Sequence, residues 1–167
     1  MTNEINAIIY ASDIHKGSRT AFHVAVREAV KHQAEIIYVH ALDKVNKITP
    51  DVSHSLLPKR IEEHHADLQK EPLVSGIKQR IHRFVDTELS ALEELPRFSV
   101  SIQFGVAEEV IIEASKQYNA GMIVMGNRKV SALSRVFLGS TAQKVLQHSE
   151  VPVLIVPLLD ASHTKAN

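Results

Sequence analysis

The 167-residue sequence has no cysteine. That excludes disulfides, thiolate metal sites and cysteine nucleophiles together, and it suits a reducing compartment. It also lacks a charge excess. Lys+Arg and Asp+Glu stand at 19 each, so no global field draws the chain toward nucleic acid or an anionic membrane. Any anion binding must therefore come from local geometry. Long apolar runs are absent too: the longest, Val151 to Leu159, holds two prolines and falls far short of the ~20 residues of a spanning helix. The start, MTNEINAIIYAS, carries Glu4 where a secretory signal needs basic residues. These absences predict a cytoplasmic protein without nucleic-acid or membrane partners. No internal repeat is visible.

What is present is an ordinary globular composition, 44% hydrophobic and 23% charged, of a length that fits one domain with a real core. NAIIYAS reads as a first strand ending at polar Ser12 and Asp13. GSRTAFHVAVREAVKHQ then changes period: Ala21, Ala25 and Ala29 run beside Phe22, Val26 and Val30 as one apolar helical stripe. EIIYVHA is a second strand, and Ser99 to Phe104 a third, with Val100, Ile102 and Phe104 alternating against Ser99, Ser101 and Gln103. VAEEVIIEASKQY is a helix that places Glu108 and Glu109 where the N-terminal dipole favours anions. GMIVMG, Ser140 to Ser149, and VPVLIVP read as strand, short helix and strand. Strands alternating with helices predict right-handed crossovers and a parallel five-stranded sheet covered on both faces, a doubly wound α/β fold.

The middle is less regular. Asp43 to Pro58 reads as a loop, and Lys59 to Leu95 as mostly helical, with Ile77, Ile81, Phe84, Val85, Leu89, Leu92 and Leu95 spaced for a buried face. Pro72 is expected to start a second helix there or to kink the first. The expected organisation is one domain over 1–159, with 43–95 inserted as loop and long helix, and a small polar tail at 160–167.

In open parallel sheets ligands bind beyond the carboxyl ends of the strands, where strand order reverses. Ala11, Ser12 and Asp13 fall there after the first strand, Ala41 after the second, and Met125 and Gly126 in the fourth. The stretch GNRKVSALSRVFLGST, Gly126 to Thr141, then delivers Gly139, Ser140 and Thr141 to the start of a helix. Such a start offers unpaired N–H groups to a phosphate. Ser140 and Gln143 also have capping-box spacing, which satisfies helix donors without a ligand. Both readings stay open locally. Asp13 is equally ambiguous between a ligand contact and a helix cap. His64 and His65 with His54 nearby invite a metal site, but adjacent helical residues point about 100° apart and read better as a solvated face. His40 and His82 read as structural.

The order of these parts, MIVMGNRKVSALSRVFLGSTAQKVLQHSEVPVLIVP, resembles the C-terminal signature of the universal stress protein family. In that family a G-x-x-G-x9-G-[ST] loop follows the fourth strand and holds the phosphates of ATP; Gly126, Gly139 and Ser140 match it in register. FGVAEEVIIEAS, EIIYVHALD and the first strand with Asp13 extend the resemblance over most of the chain apart from about 43–95. The resemblance implies a Rossmann-like sheet of strand order 3-2-1-4-5. It implies a nucleotide-binding stress-response or regulatory protein for ATP or AMP, with or without Mg2+. Ala11 and Asp13, with Ser12 between them, would border the nucleotide. The Ala41 backbone would sit against adenine, and Gly126, Gly139, Ser140 and Thr141 would form the phosphate loop. Arg128 would pair with phosphate. It further implies a homodimer joined at the last strand through Val153, Leu154, Ile155 and Val156.

Two positions depart from the family pattern. Lys129 stands where the loop has its second glycine, and His15 where a serine often follows the aspartate by two positions. The family also holds members that lack the loop glycines and bind no ATP, so an interaction module of the same fold is the alternative reading, and a weak ATP hydrolase a second. The family's fold is shared with adenylating synthetases, whose S-G-G-x-D-S loop after the first strand is absent from YASDIHKGS. No base or nucleophile stands out as a catalytic set, so no dedicated enzyme is expected.

Overall fold

The structure, a computed structural model, describes residues 4–14, 18–42, 59–128 and 138–158, with the side chains of 59–70 and 128 outside the description. Five strands form one parallel sheet in the order β3-β2-β1-β4-β5. They are β1 (Ala7–Ala11), β2 (Glu35–Leu42), β3 (Phe98–Phe104), β4 (Met122–Arg128) and β5 (Val153–Leu158). Between them run α1 (Arg19–His32), α2 (Lys59–Leu89), α3 (Ala107–Gln117) and α4 (Ser140–His148). The expected strand order and layering hold, and each expected strand lies within a residue or two of its predicted span.

Alternation along the central strands divides the core. Ile8 and Tyr10 of β1, Ile36 and Tyr38 of β2, and Val124 of β4 pack against Phe22 and Val26 of α1 and Ile81 and Val85 of α2. Ile9, Ile37, Val39, Ile123 and Met125 face the other way, onto Val110, Ile111 and Ala114 of α3 and Val145 of α4. β1 is buried along its whole length, as expected for a central parallel strand covered on both faces. The chain thus winds one way through α1 and α2, then crosses to the opposite face for α3 and α4. The reversal falls between β1 and β4, which pair directly.

Three expectations change. α2 is a single 31-residue helix with Pro72 inside it, so of the two alternatives for Pro72 the start of a second helix is removed. It stops at Leu89, so Leu92 and Leu95 lie beyond it and are exposed, at 37% and 64%. Their spacing continued the helical period beyond the end of the helix itself. Ser140 does not cap α4: the N-cap is Gly139, no side-chain cap bond forms, and Ser140 is the first helical residue. α1 ends without a glycine. Gln33 takes the left-handed conformation there, φ 54°, and donates to Val30 O at 3.2 Å. Among the described residues no helix is long and apolar enough to cross a membrane.

Candidate functional site at the switch point

The pairing register sets the floor of the site. Ala11 of β1 lies opposite Val39 of β2 and Met125 of β4, so three apolar residues form one row facing α3 and α4. One residue further, the next row begins with Ser12 and His40 beside Gly126. Here β1 has ended, while β2 and β4 run on. The ends of the strands therefore spread apart and leave a cleft of about 310 Å3, at the small end of ligand sites.

Ala11, Ser12, Asp13, Ala41, Met125, Gly126, Gly139, Ser140 and Thr141 all border this one cleft. Nine of the ten residues singled out for a ligand from the sequence are thereby brought together. The tenth, Arg128, ends β4, and its side chain is not described. Lys129 and His15 lie outside the described residues, as do His54 and the side chains of His64 and His65. Among the described residues no group of three or more metal-ligating side chains is placed to hold an ion.

The walls differ in chemistry. Ala107 and Ile111 of α3 and Ala142 of α4 make an apolar side with the Ala11, Val39 and Met125 row. The rim is polar: Ser12, Asp13, His40, Asn127, Ser140 and Thr141. No lysine or arginine is among the described residues of the lining. The N-terminus of α4, whose Gly139 contributes backbone without a side-chain cap, adds its positive dipole end to this rim.

Gly126 and Gly139 have different reasons to be glycine. Gly139 has φ −58° and ψ 151°, open to any residue, and a Cβ there would touch nothing within 4 Å among the described atoms. Packing among the described atoms therefore gives no reason for a glycine at this position. At Gly126 a Cβ would lie 2.7 Å from Leu158 Cδ1. That glycine serves the packing of β4 against the end of β5, a role its place in the loop pattern did not reveal.

Several lining residues went unremarked in the sequence. Asn127 Oδ1 accepts a long 3.4 Å bond from Gly139 N–H, joining the end of β4 to the start of α4. The signal was there, a polar side chain directly after the apolar MIVMG. Tyr10 donates its hydroxyl to Ser18 O at 2.9 Å, fastening the start of α1 to β1. Tyr10 meets Tyr38 edge-on at 5.0 Å between ring centroids. Burial, and then the neighbouring Tyr38, push the Tyr10 hydroxyl far above the usual phenol range; burial raises Tyr38 as well. Both rings are therefore neutral beneath the cleft. His40, read as structural, lines the cleft. Its partner is the Ser12 carbonyl, 2.7 Å from Nδ1.

The sheet order and the cleft at its reversal define a doubly wound α/β protein with a cleft at the switch point. The universal stress protein family model matches residues 4–157, and the chain belongs to that family. A universal stress protein of Thermus aquaticus, encoded in the 3′ region of a QAH/OAS sulfhydrylase, is 32% identical over 152 residues, covering 89% of this chain and 96% of that one. The structure of MJ0577 from Methanocaldococcus jannaschii superposes with a TM-score of 0.69 at 20% identity, over 95% of this chain and 99% of that one. The universal stress protein of Archaeoglobus fulgidus in complex with dAMP superposes at 0.54 and 15% identity, over 92% and 98%.

Proposed function

We propose that the cleft binds an adenine nucleotide, ATP or AMP, and that the protein acts as a nucleotide-responsive regulatory or stress-response protein rather than a dedicated enzyme. The observation that carries this reading is convergence: Ala11–Asp13, Ala41, Met125–Gly126 and Gly139–Thr141 border one cleft at the switch point. A family relative solved with dAMP supports the ligand class. The apolar row of Ala11, Val39 and Met125 suits the flat face of a base, with the Ala41 backbone at its edge. Asp13 is a carboxylate in reach of ribose hydroxyls. The Gly139, Ser140 and Thr141 amides and hydroxyls suit phosphate oxygens. Mg2+ would ride on the phosphates of ATP, with few protein ligands, as is usual for that ion.

The reading assigns no bond-breaking step, because no base is positioned against a nucleophile in the described lining. Robust metal-dependent ATP hydrolysis, lost in Asp13→Ala, would overturn that part. We further assign Val153–Val156 as a dimer seam. β5 is an edge strand in which Val153, Leu154 and Ile155 are only half-buried, and an apolar edge is a pairing template. A monomeric mass by light scattering would remove the seam.

The test of the nucleotide reading is mass spectrometry of small molecules released from the purified protein, with calorimetric titration of ATP and AMP. Bound adenine nucleotide and binding weakened about tenfold in Asp13→Ala are expected, as for loss of one charge-assisted hydrogen bond. If nothing co-purifies and neither nucleotide binds at millimolar concentration, the interaction-module reading stands instead.

A further inference from the structure

The turn that leaves β1 toward the cleft is held from several sides. Ser12 N–H donates to Val39 O at 3.1 Å. Ser12 Oγ accepts from Ile14 N–H at 3.1 Å. Ile14 sits at φ 60°, a left-handed conformation that is a true outlier for a β-branched residue. Such a backbone persists only where its surroundings over-determine it, and it clusters at functional sites. Asp13 lies inside this turn, between the residue that is anchored and the residue that is strained.

The Tyr10 and Tyr38 hydroxyls also hydrogen-bond with the Ser12 side chain, and a further anchor is His40. Its Nδ1 is 2.7 Å from Ser12 O, across 28 residues of sequence. A carbonyl oxygen can only accept, so Nδ1 must carry the proton. This fixes the neutral ring as the Nδ1–H tautomer and leaves the Nε2 lone pair unprotonated. Free histidine prefers the opposite tautomer, so the contact selects a state the side chain would not otherwise favour.

We propose that His40 is a positioning residue of this cleft: its Nδ1–H holds the Ser12 carbonyl and so fixes the turn that presents the Asp13 carboxylate. His40 reaches the ligand through Ser12 and Asp13. What the turn presents Asp13 to rests on the nucleotide reading above; the tautomer and the order of the turn do not.

The experiment is made on the full chain. In 15N-resolved NMR of the wild type near neutral pH, His40 is expected as the Nδ1–H tautomer. An Nε2–H tautomer at His40 overturns the proposal, and this arm needs no variant to fold. Two substitutions then separate donor from bulk. His40→Phe keeps a ring and removes the donor; His40→Asn places an amide N–H near the position of Nδ1. His40→Phe should speed exchange of the Ile14 amide and weaken AMP binding, each by about tenfold, and His40→Asn should restore most of both. Equal loss in both variants, or no change in either, overturns the proposal. Failure of the wild type to bind AMP would instead remove the nucleotide reading, with the tautomer and exchange arms still deciding the role of His40.

Discussion

Glycines and tyrosines around the cleft show how a single side chain, or its absence, serves either packing or the site. A valine at Gly126 would drive two methyl groups into Leu158, the side chain a Cβ would already meet. Gly126→Val should lower stability by about 1–3 kcal/mol, the usual cost of overpacking. In urea denaturation the loss should shrink in a Leu158→Ala background, since the two residues share one space. Reduced nucleotide binding in Gly126→Val therefore reports on packing as well as on phosphate. Gly139→Ala is the cleaner substitution. Its ordinary φ and open surroundings predict a stability change within about 0.5 kcal/mol, with nucleotide affinity falling because the new methyl stands where phosphate would approach. Tyr10 and Tyr38 carry a pH prediction. Folding raises both hydroxyls above the ordinary phenol range, so it favours their neutral form. That stabilisation is complete below about pH 10, the unfolded tyrosine value, and is lost as pH climbs beyond it. In an alkaline titration, phenolate absorbance from Tyr10 and Tyr38 should appear together with loss of ellipticity, not before it.

Among the elements, α1 and α2 are joined at their outer faces by Glu88. Its carboxylate, only 8% exposed, receives Arg19 Nε at 2.8 Å and lies 2.6 Å from His23 Nε2 on the same oxygen. Because α1 begins at the cleft with Ser18 and Ala21 in its lining, this bridge steadies a wall of the site from behind. Glu88→Ala should cost about 1 kcal/mol in urea denaturation, the upper range for a partly exposed pair, and less at high salt. These elements also show what sequence makes legible. The strands could be read because both faces of a parallel sheet are covered, which turns IIY, IIYV and MIVM into unbroken apolar runs. α1 could be read because its alanines and phenylalanine keep one helical period. The cleft residues could be read because their place follows from topology. Leu92 and Leu95 misled because a period can outlast its helix, and Ser140 misled because capping spacing does not determine where a helix starts. His40 was hidden for a different reason: its partner is a backbone carbonyl 28 residues away, and side-chain identity says nothing of that pairing.

For the molecule as a whole, the proposed site depends on one topological event, the crossing of the chain from one face of the sheet to the other between β3 and β4. That crossing opens β1 from β4 at their carboxyl ends and brings the start of α4 over the gap. Glu108 of α3 and Lys144 of α4 pair across the far face, and Lys144 holds the Glu108 carboxyl below its usual range. The helices over the second face are thus tied to one another close to the Ala107 wall. The central claim, that this gap takes an adenine nucleotide, is tested most directly by amide chemical-shift mapping during titration with AMP and ATP. The account predicts saturable shifts concentrated at Ala11–Asp13, Ala41, Gly126–Asn127 and Gly139–Ala142. Shifts that cluster on another surface, or a spectrum unchanged at millimolar nucleotide, would contradict it.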